Sequence, residues 1–543
     1  MKINSLSLLL INPSPMSAKE LKGFLNKTSI EWVPEFELPI GFLEIVAYLR
    51  QEISGISIKL LDIAVEIFEF KLNYNKSPKT TIEQFTKKLI DKTDYKPDII
   101  GISVLYSTSF NTAMSIASIV KDKWPDATVV FGGNHATHYA KYILKNNSVD
   151  YVIRGEGELS FTDFIKKVQD GMNPMEITGV LCRENFEQDQ AQLSPMLMDL
   201  DRIPIAAYDL VDMEKYIDNS RVSLMLSRGC PFGCTFCASP TVHGKKIRQK
   251  SKKRILYELN FLISNYGVEK VIIQDDLIAA KKGDFIELVK SLVKLPIKFS
   301  LPNGLSISVL SEELIDTLIE LEIDYFLLSI ESGSEYTLKY LLKKKVPLIK
   351  ARRLIKYLRE KNQTIYINFI LGIPNETKEL MKESIDFINT IDADWVYFFM
   401  ALPLPGTEMF KQFISMGAID EETFDWDSLR HRRRTFDTKE ISSSELEKLV
   451  CDTNIEYNFF NNSNIQNKRY KKAIDYFDSI VLPNYPYHIV ARYCRGVANM
   501  GLTSKDHAEK DFKECVTWIR TNDESKKLYE SYGSKMPLLK PFF

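Results

Sequence analysis

Through about the first 190 residues, short near-continuous apolar runs alternate with longer stretches of helical spacing. The runs at 6–12, 56–62, 98–104, 127–131 and 151–153 read as strands, and the stretches at 40–52, 81–92, 112–123 and 139–146 as helices. Strands with few polar positions, joined by helices, predict a parallel, doubly wound sheet, because helices then cover both faces. Such sheets bind ligands beyond the C-terminal ends of their strands. Small polar residues gather at those ends: Asn12-Pro13, Ser103 to Ser107, Gly132-Gly133-Asn134-His135-Ala136-Thr137, and Gly155-Glu156. Glycines there let the backbone approach a large flat or phosphorylated ligand.

A second series follows. Apolar runs at 222–226, 270–274, 297–301, 325–330, 364–371 and 395–400 recur with helices between them. Six βα units fall short of a closed eight-unit barrel, so the spacing predicts a partial, open (β/α)6 barrel. Their C-terminal ends carry Asp275-Asp276, Asn303-Gly304, Glu331-Ser332-Gly333-Ser334, Gly372-Ile373-Pro374 and Pro403-Leu404-Pro405-Gly406-Thr407. That is the end where a barrel's active mouth lies. From Lys439 onward the pattern is helical. Ala473 pairs with Ala508 and Phe477 with Phe512 at a spacing near the tetratricopeptide period, which suggests helical hairpins and, as one option, a tetratricopeptide-like module. The fold class is α/β. The expected organisation is a Rossmann-like ligand domain over 1–190, a connector over 191–220, the partial barrel over 221–430 and a helical domain over 431–543.

A chain of 543 residues is too long for one core. Its 45% hydrophobic and 26% charged residues are those of a soluble globular protein. A formal net charge of -1 gives no general attraction to nucleic acid or acidic lipid. Lys343-Lys344-Lys345 and Arg432-Arg433-Arg434 read as solvated helix faces or loops. The apolar run after Met1 is too short to span a membrane and has no cleavage site, so it reads as a buried first strand. With no signal segment and few cysteines, the chain is expected in the reducing cytoplasm.

Three of the cysteines sit on one tight loop, Cys230-Pro231-Phe232-Gly233-Cys234-Thr235-Phe236-Cys237. Three thiolates there suit an iron–sulfur cluster, and a four-iron cubane would keep one iron open. A structural zinc site needs four ligands, usually as paired knuckles, and His243 alone does not complete one. The ferredoxin run is C-x2-C-x2-C with a distant fourth cysteine, which this spacing does not match.

C-x3-C-x2-C with an aromatic before the last cysteine resembles the radical S-adenosylmethionine (SAM) superfamily. In that family SAM's amine and carboxylate chelate the open iron, and one electron cleaves SAM to a 5′-deoxyadenosyl radical. The Pro-containing first loop, the Ile100-Gly101-Ile102-Ser103 strand, the Gly-Gly-x-His-x-Thr loop and the Gly155–Glu158 turn resemble the cobalamin-binding domain that precedes many radical SAM domains. The resemblance to the cobalamin-dependent (class B) family implies three cofactors: a four-iron, four-sulfur (4Fe-4S) cluster, SAM and cobalamin. It implies that Cys230, Cys234 and Cys237 hold the cluster. It places Phe236 beside the cluster and adenine, and Asp275 or Asp276 at SAM's amino end or ribose. It brings Glu331 to SAM, with Asn303 at a neighbouring strand end, and lines the adenine side with Gly372, Pro374, Pro405 and Gly406. Asn12, Ser103, Ser107, Gly132, Gly133, Asn134, His135, Gly155 and Glu156 would border cobalamin. The chain lacks D-x-H-x-x-G, the motif that supplies a histidine to cobalt elsewhere. His135 is therefore open between ligating cobalt, bordering the ligand loop and capping backbone.

The implied activity is a methyltransferase in which the 5′-deoxyadenosyl radical takes hydrogen from an unactivated carbon and methylcobalamin supplies the methyl group. The alternatives are a non-methylating relative that cyclises or rearranges its substrate, and a scaffold acting through the C-terminal helices. Methylthiotransferases carry further N-terminal cluster cysteines, and only Cys182 precedes Cys230 here. The implied partners are a small-molecule or natural-product-type substrate and an electron donor such as flavodoxin or ferredoxin. No nucleic acid and no membrane span are expected, and a protein contact through the C-terminal helices is an option.

Overall fold

The computed structural model describes residues 5–26, 36–73, 80–187, 192–430 and 433–543. Strand β1, Leu6–Asn12, shows why the N-terminal sheet forms. Side chains alternate between faces along a strand. Leu6, Leu8 and Leu10 enter one apolar cluster, while Leu9 and Ile11 enter another on the opposite face. Helices Ile40–Glu52 and Gly157–Gln169 contribute Val46, Leu49, Phe161 and Phe164 to the first cluster. Helices Phe110–Lys123 and Asn134–Ile143 contribute Ala113, Ile116, Ala136 and Tyr139 to the second.

The sheet continues through β2 (Ile56–Asp62), β3 (Ile99–Ser103), β4 (Thr128–Gly132), β5 (Tyr151–Ile153) and β6 (Val180–Leu181) in the order β2-β1-β3-β4-β5-β6. All neighbours are parallel except β6 on β5. This is the flavodoxin-like order, whose chain direction switches between β1 and β3 and leaves a crevice there for a ligand. One reading of the sequence changes. Residues 134–137 are not a loop, because the helix Asn134–Ile143 begins directly after Gly133.

The second series begins at β7, Ser223–Leu224. A two-stranded ribbon, β8 (Ser227–Arg228) and β9 (Arg248–Gln249), flanks the cysteine loop. Then come β10 (Lys270–Ile273), β11 (Lys298–Ser300), β12 (Phe326–Glu331), β13 (Ile365–Leu371) and β14 (Trp395–Met400). β7, β10 and β11 pair in parallel, as do β12, β13 and β14. A single parallel bridge, Leu305 to Leu328, joins the two halves. The six strands follow chain order in an open arc, and the apolar core is continuous from Leu9 to Val450.

An open arc leaves the edge of β14 with unpaired backbone groups, which must find partners when buried. The helix Ser443–Ile455 and the π-helical turn Glu456–Phe460 supply them. Asn458 accepts from Val396 N at 2.8 Å and donates to Val396 O at 2.6 Å. Asn454 does the same for Phe398, at 3.1 and 3.0 Å. Trp395 packs into the C-terminal helical cluster, where Ala473, Phe477, Ala508 and Phe512 are all buried.

The Arg432-Arg433-Arg434 run is not a solvated face throughout. Arg432 lies outside the described residues. Arg434 is buried, and its guanidinium donates to Gly372 O at 2.8 Å and to the carbonyls of Phe436 and Ile441. A turn that exposes several carbonyls to one buried position suits the guanidinium fork.

Candidate active site between the sheet and the barrel

The C-terminal ends of the N-terminal sheet face the mouth of the barrel across a cavity of 670 Å3. That size is within the range of ligand sites. Its N-terminal wall contains all nine residues the sequence assigns to cobalamin, from Asn12 to Glu156. The opposite wall contains Ser223, Met225, Arg228, Gln274, Asp276 and Pro405. Gly133 shapes the floor. Its φ of +99° favours glycine, and a Cβ there would lie 2.8 Å from the backbone of Val104. Thr137 ties the neighbouring strand ends together, donating from Oγ1 to Gly133 O at 2.8 Å and accepting from Gly155 N at 2.9 Å.

Several of the nine are already engaged. Asn12 donates to Asp62 at 3.1 Å. Burial pushes that carboxyl up to about 6. His135 does not cap backbone with its ring. Nδ1 lies 2.9 Å from Ser107 Oγ, and the ring packs against Phe110, Tyr139 and Trp426. Burial holds it neutral, down to about 3, and Nε2 is buried without a hydrogen-bond partner. Glu156 lines the cavity, yet its two oxygens accept from Arg248 at 2.7 and 2.5 Å, and His243 Nδ1 lies 2.7 Å away.

On the barrel side, Thr235 anchors the cysteine loop, donating from N to Leu342 O at 3.0 Å and from Oγ1 to Leu341 O at 2.8 Å. Burial raises the Cys230 thiol. Burial also raises Cys234, to about 11, with Lys344 opposing and the other two thiols adding to the rise. Thiols this close need positive charge to ionise together, and a bound cluster would supply it. No three His, Cys, Asp or Glu side chains among the described residues are grouped to hold a single ion.

The barrel residues assigned to SAM divide. Asp276 and Pro405 line the cavity, and Asp276 accepts from Gly229 N at 2.8 Å. Glu331 sits at a register shift in β12 with φ +73° and pairs with Lys344 at 2.8 Å. Backbone strain of that kind gathers at functional sites. The Lys344 ammonium lies 5.6 Å from the centre of the Phe236 ring, so Glu331, Lys344 and Phe236 adjoin the cysteine loop. Asp275 is turned away to brace the lead-in to the cysteines. Its oxygens accept from Leu226 N at 2.7 Å and Ser227 Oγ at 2.6 Å, its carbonyl accepts from Asn303, and burial lifts it to about 6. Gly372 and Pro374 belong to a turn buckled by Glu376, which accepts from Gly372 N at 2.8 Å. Gly406 meets the helix Asn134–Ile143 of the N-terminal region: a Cβ on it would lie 2.4 Å from the His138 ring.

Sequence reasoning passed over the charged seam between the two walls. Arg228 donates to Glu44 and Glu158 at 2.6 Å each and pairs with Glu156 at 3.4 Å. Lys250 joins Glu44 at 2.8 Å and Glu258 at 2.9 Å. All of these groups are buried. Burial alone would raise Glu44, but Lys250 and Arg228 together bring it down to about 2. The available signal was Arg228 directly preceding Gly229-Cys230, and the second glutamate of Gly155–Glu158.

The B12 binding domain model matches residues 33–165, and the Radical SAM superfamily model matches residues 224–388. The chain is similar to cytidylyl-2-hydroxyethylphosphonate methyltransferase of Streptomyces wedmorensis, at 28% identity over 435 residues, 72% of this chain and 80% of that protein. It is similar to an uncharacterized methyltransferase of Pyrococcus horikoshii, at 27% identity over 422 residues, 77% of this chain and 87% of that protein. Among solved structures it resembles the cobalamin-dependent S-adenosylmethionine radical enzyme OxsB with aqua-cobalamin and S-adenosylmethionine bound, with a TM-score of 0.64 and 16% identity. That likeness is one of fold, and it covers 98% of this chain and 81% of that one.

Proposed function

This chain joins a B12-binding domain to a radical SAM domain, and from that premise we propose a cobalamin-dependent radical SAM methyltransferase acting on an unactivated carbon of a small molecule. The observation that carries the reading is the shared cavity, with the glycine-rich strand ends on one wall and the barrel mouth on the other. When bound, the cluster supplies the electron that cleaves SAM, and cobalamin supplies the methyl group. Cys230, Cys234 and Cys237 would hold the cluster. Gly132, Gly133 and Gly155 would let the sheet's backbone lie against cobalamin, and His135, enclosed by aromatic rings, would border it without ligating cobalt. Asp276 and Glu331 would orient SAM, with Lys344 holding the Glu331 carboxylate in place. Apolar residues such as Leu10, Phe36, Phe42, Ile102, Phe131 and Met225 line the cavity and exclude water. All seven cysteines are free thiols, which suits a reducing compartment, and no described helix is long and apolar enough to cross a membrane.

Anaerobic reconstitution tests this. The chain should take up about four irons, bind hydroxocobalamin, cleave SAM to 5′-deoxyadenosine and give a product heavier by one CH2. Combined Cys230→Ala, Cys234→Ala and Cys237→Ala substitution should abolish iron uptake. Equal iron in both proteins would overturn the cluster assignment. A product of unchanged mass would assign the cyclising or rearranging activity instead.

A further inference from the structure

The surface behind the cysteine loop differs in charge from the rest of the chain. Residues 335–359 carry six lysines and three arginines against one acid, Glu335, in a chain whose formal net charge is -1. Some of that charge is used internally. Lys344 pairs with Glu331, Arg359 pairs with Asp392 and Asp394, and Lys350 donates to Ser308 O. Lys339, Lys343, Lys345, Arg352, Arg353 and Lys356 are exposed. Glu408 meets Lys343 at 2.6 Å, while Glu312 stands 3.5 Å from Arg353 and Glu360 3.9 Å from Lys356, all exposed pairs that solvent screens.

Apolar surface is exposed in the same place. Tyr336 and Tyr340 are 53% and 54% exposed with ring centres 4.9 Å apart, and Ile349 is 78% exposed. Both tyrosines flank or lie on the π-helical turn Thr337–Leu341, a geometry that recurs at functional sites. This turn is joined directly to the cysteine loop. The carbonyls of Leu341 and Leu342 hold Thr235, and Lys344 reaches the ring of Phe236. Aromatic anchors within a ring of like charge mark an interface for a partner of opposite charge.

We propose that this face, centred on Tyr336, Lys339, Tyr340, Lys343, Lys345 and Ile349, is the docking surface for a small acidic one-electron carrier protein. The inference rests on the radical SAM reading above. One electron leaves the carrier, which is oxidised by one, and enters the cluster, which is reduced by one; no bond is made or broken. Basic side chains steer the acidic carrier, and the tyrosines and Ile349 give it an apolar seat over the loop.

Titration calorimetry of the full chain with a purified flavodoxin tests this without requiring a loaded enzyme. Wild-type affinity should fall steeply with salt. Combined Lys339→Glu, Lys343→Glu and Lys345→Glu substitution should raise Kd by at least about tenfold at low salt and flatten the salt dependence. Lys345→Glu alone should raise it about threefold, which guards against misfolding of the triple variant. In the reconstituted enzyme, 5′-deoxyadenosine formation driven by reduced flavodoxin should fall about as much, while the dithionite-driven rate stays at the wild-type level. An unchanged flavodoxin Kd in both variants would overturn the proposal. So would equal binding of cytochrome c, a basic carrier, or of a short DNA duplex that the same substitutions abolish. Wild-type protein that fails to cleave SAM with dithionite would instead sink the functional reading, leaving the binding titration to decide the surface.

Discussion

Glu376 illustrates how one buried carboxyl organises a turn. It is fully buried, and its Oε2 accepts from Gly372 N and Ile373 N at 2.8 and 3.2 Å. Burial outweighs those bonds and raises its pKa from 4.5 to about 8. Between those values the folded chain binds a proton that the unfolded chain has released, so stability falls as pH rises from 4.5 towards 8 and then levels. Glu376→Gln keeps an acceptor without a charge. The variant should lose less stability than wild type across that window in urea titrations at stepped pH. Glu376→Ala leaves two buried N–H groups without a partner and should cost about 1–3 kcal/mol for each. Gly406 makes a second case, one of space. With φ +81° and the His138 ring against it, Gly406→Ala should destabilise by about 1–3 kcal/mol. Adding His138→Ala should recover the part due to the clash, which a double-mutant cycle of melting curves separates from the backbone part.

At the scale of elements, the notable join is between β14 and the helical region. Four helical residues rise about 6 Å, and two strand residues about 6.6 Å. Asn454 and Asn458 therefore match Val396 and Phe398 in pitch and close the open edge with side-chain amides. Asn458→Ala removes both partners of Val396 and should cost about 2–4 kcal/mol in chemical unfolding. Asn458→Asp, when protonated, keeps one acceptor oxygen and one O–H donor and should cost less. Strand edges carry no sequence mark of their own. The parallel strands of the N-terminal sheet and of the barrel could be read from their apolar runs, the short antiparallel β6 could not, and the partner of β14 depends on a helical turn 62 residues further on in the chain.

At the scale of the whole molecule, the two sheets are held by a buried charge network rather than by apolar contact alone. Removing one member leaves the others as uncompensated buried charges, which is far costlier than a surface pair. Arg228→Ala strands Glu158, takes one of two cationic partners from Glu44 and weakens the set around Glu156, and should destabilise by about 3–5 kcal/mol. Glu44 and Glu156 are both held down to about 2 by their cationic partners. Their stabilisation is complete above the unfolded value of 4.5 and is lost as pH falls from there towards 2. Wild-type melting temperature should drop through that window, and the Arg228→Ala protein should drop less.

Sequence alone determined the parallel strands, though not the two-residue β6, β8 and β9, because an apolar run is a local property that needs no knowledge of neighbours. It determined the cysteine loop and the glycine turn after β4, since spacing and φ preference are equally local. It did not decide where the polar residues at the strand ends would point. Asp275 braces Leu226 and Ser227, Gly406 meets His138, and the carboxylate of Glu156 is taken by Arg248. Arg228 and Glu44 stand 184 residues apart in sequence, and only the stacking of the sheet on the barrel brings them to 2.6 Å. A pairing of that separation leaves no periodic trace in the chain. It exists because both charges are buried at the same seam, where each must find the other or forfeit its solvation.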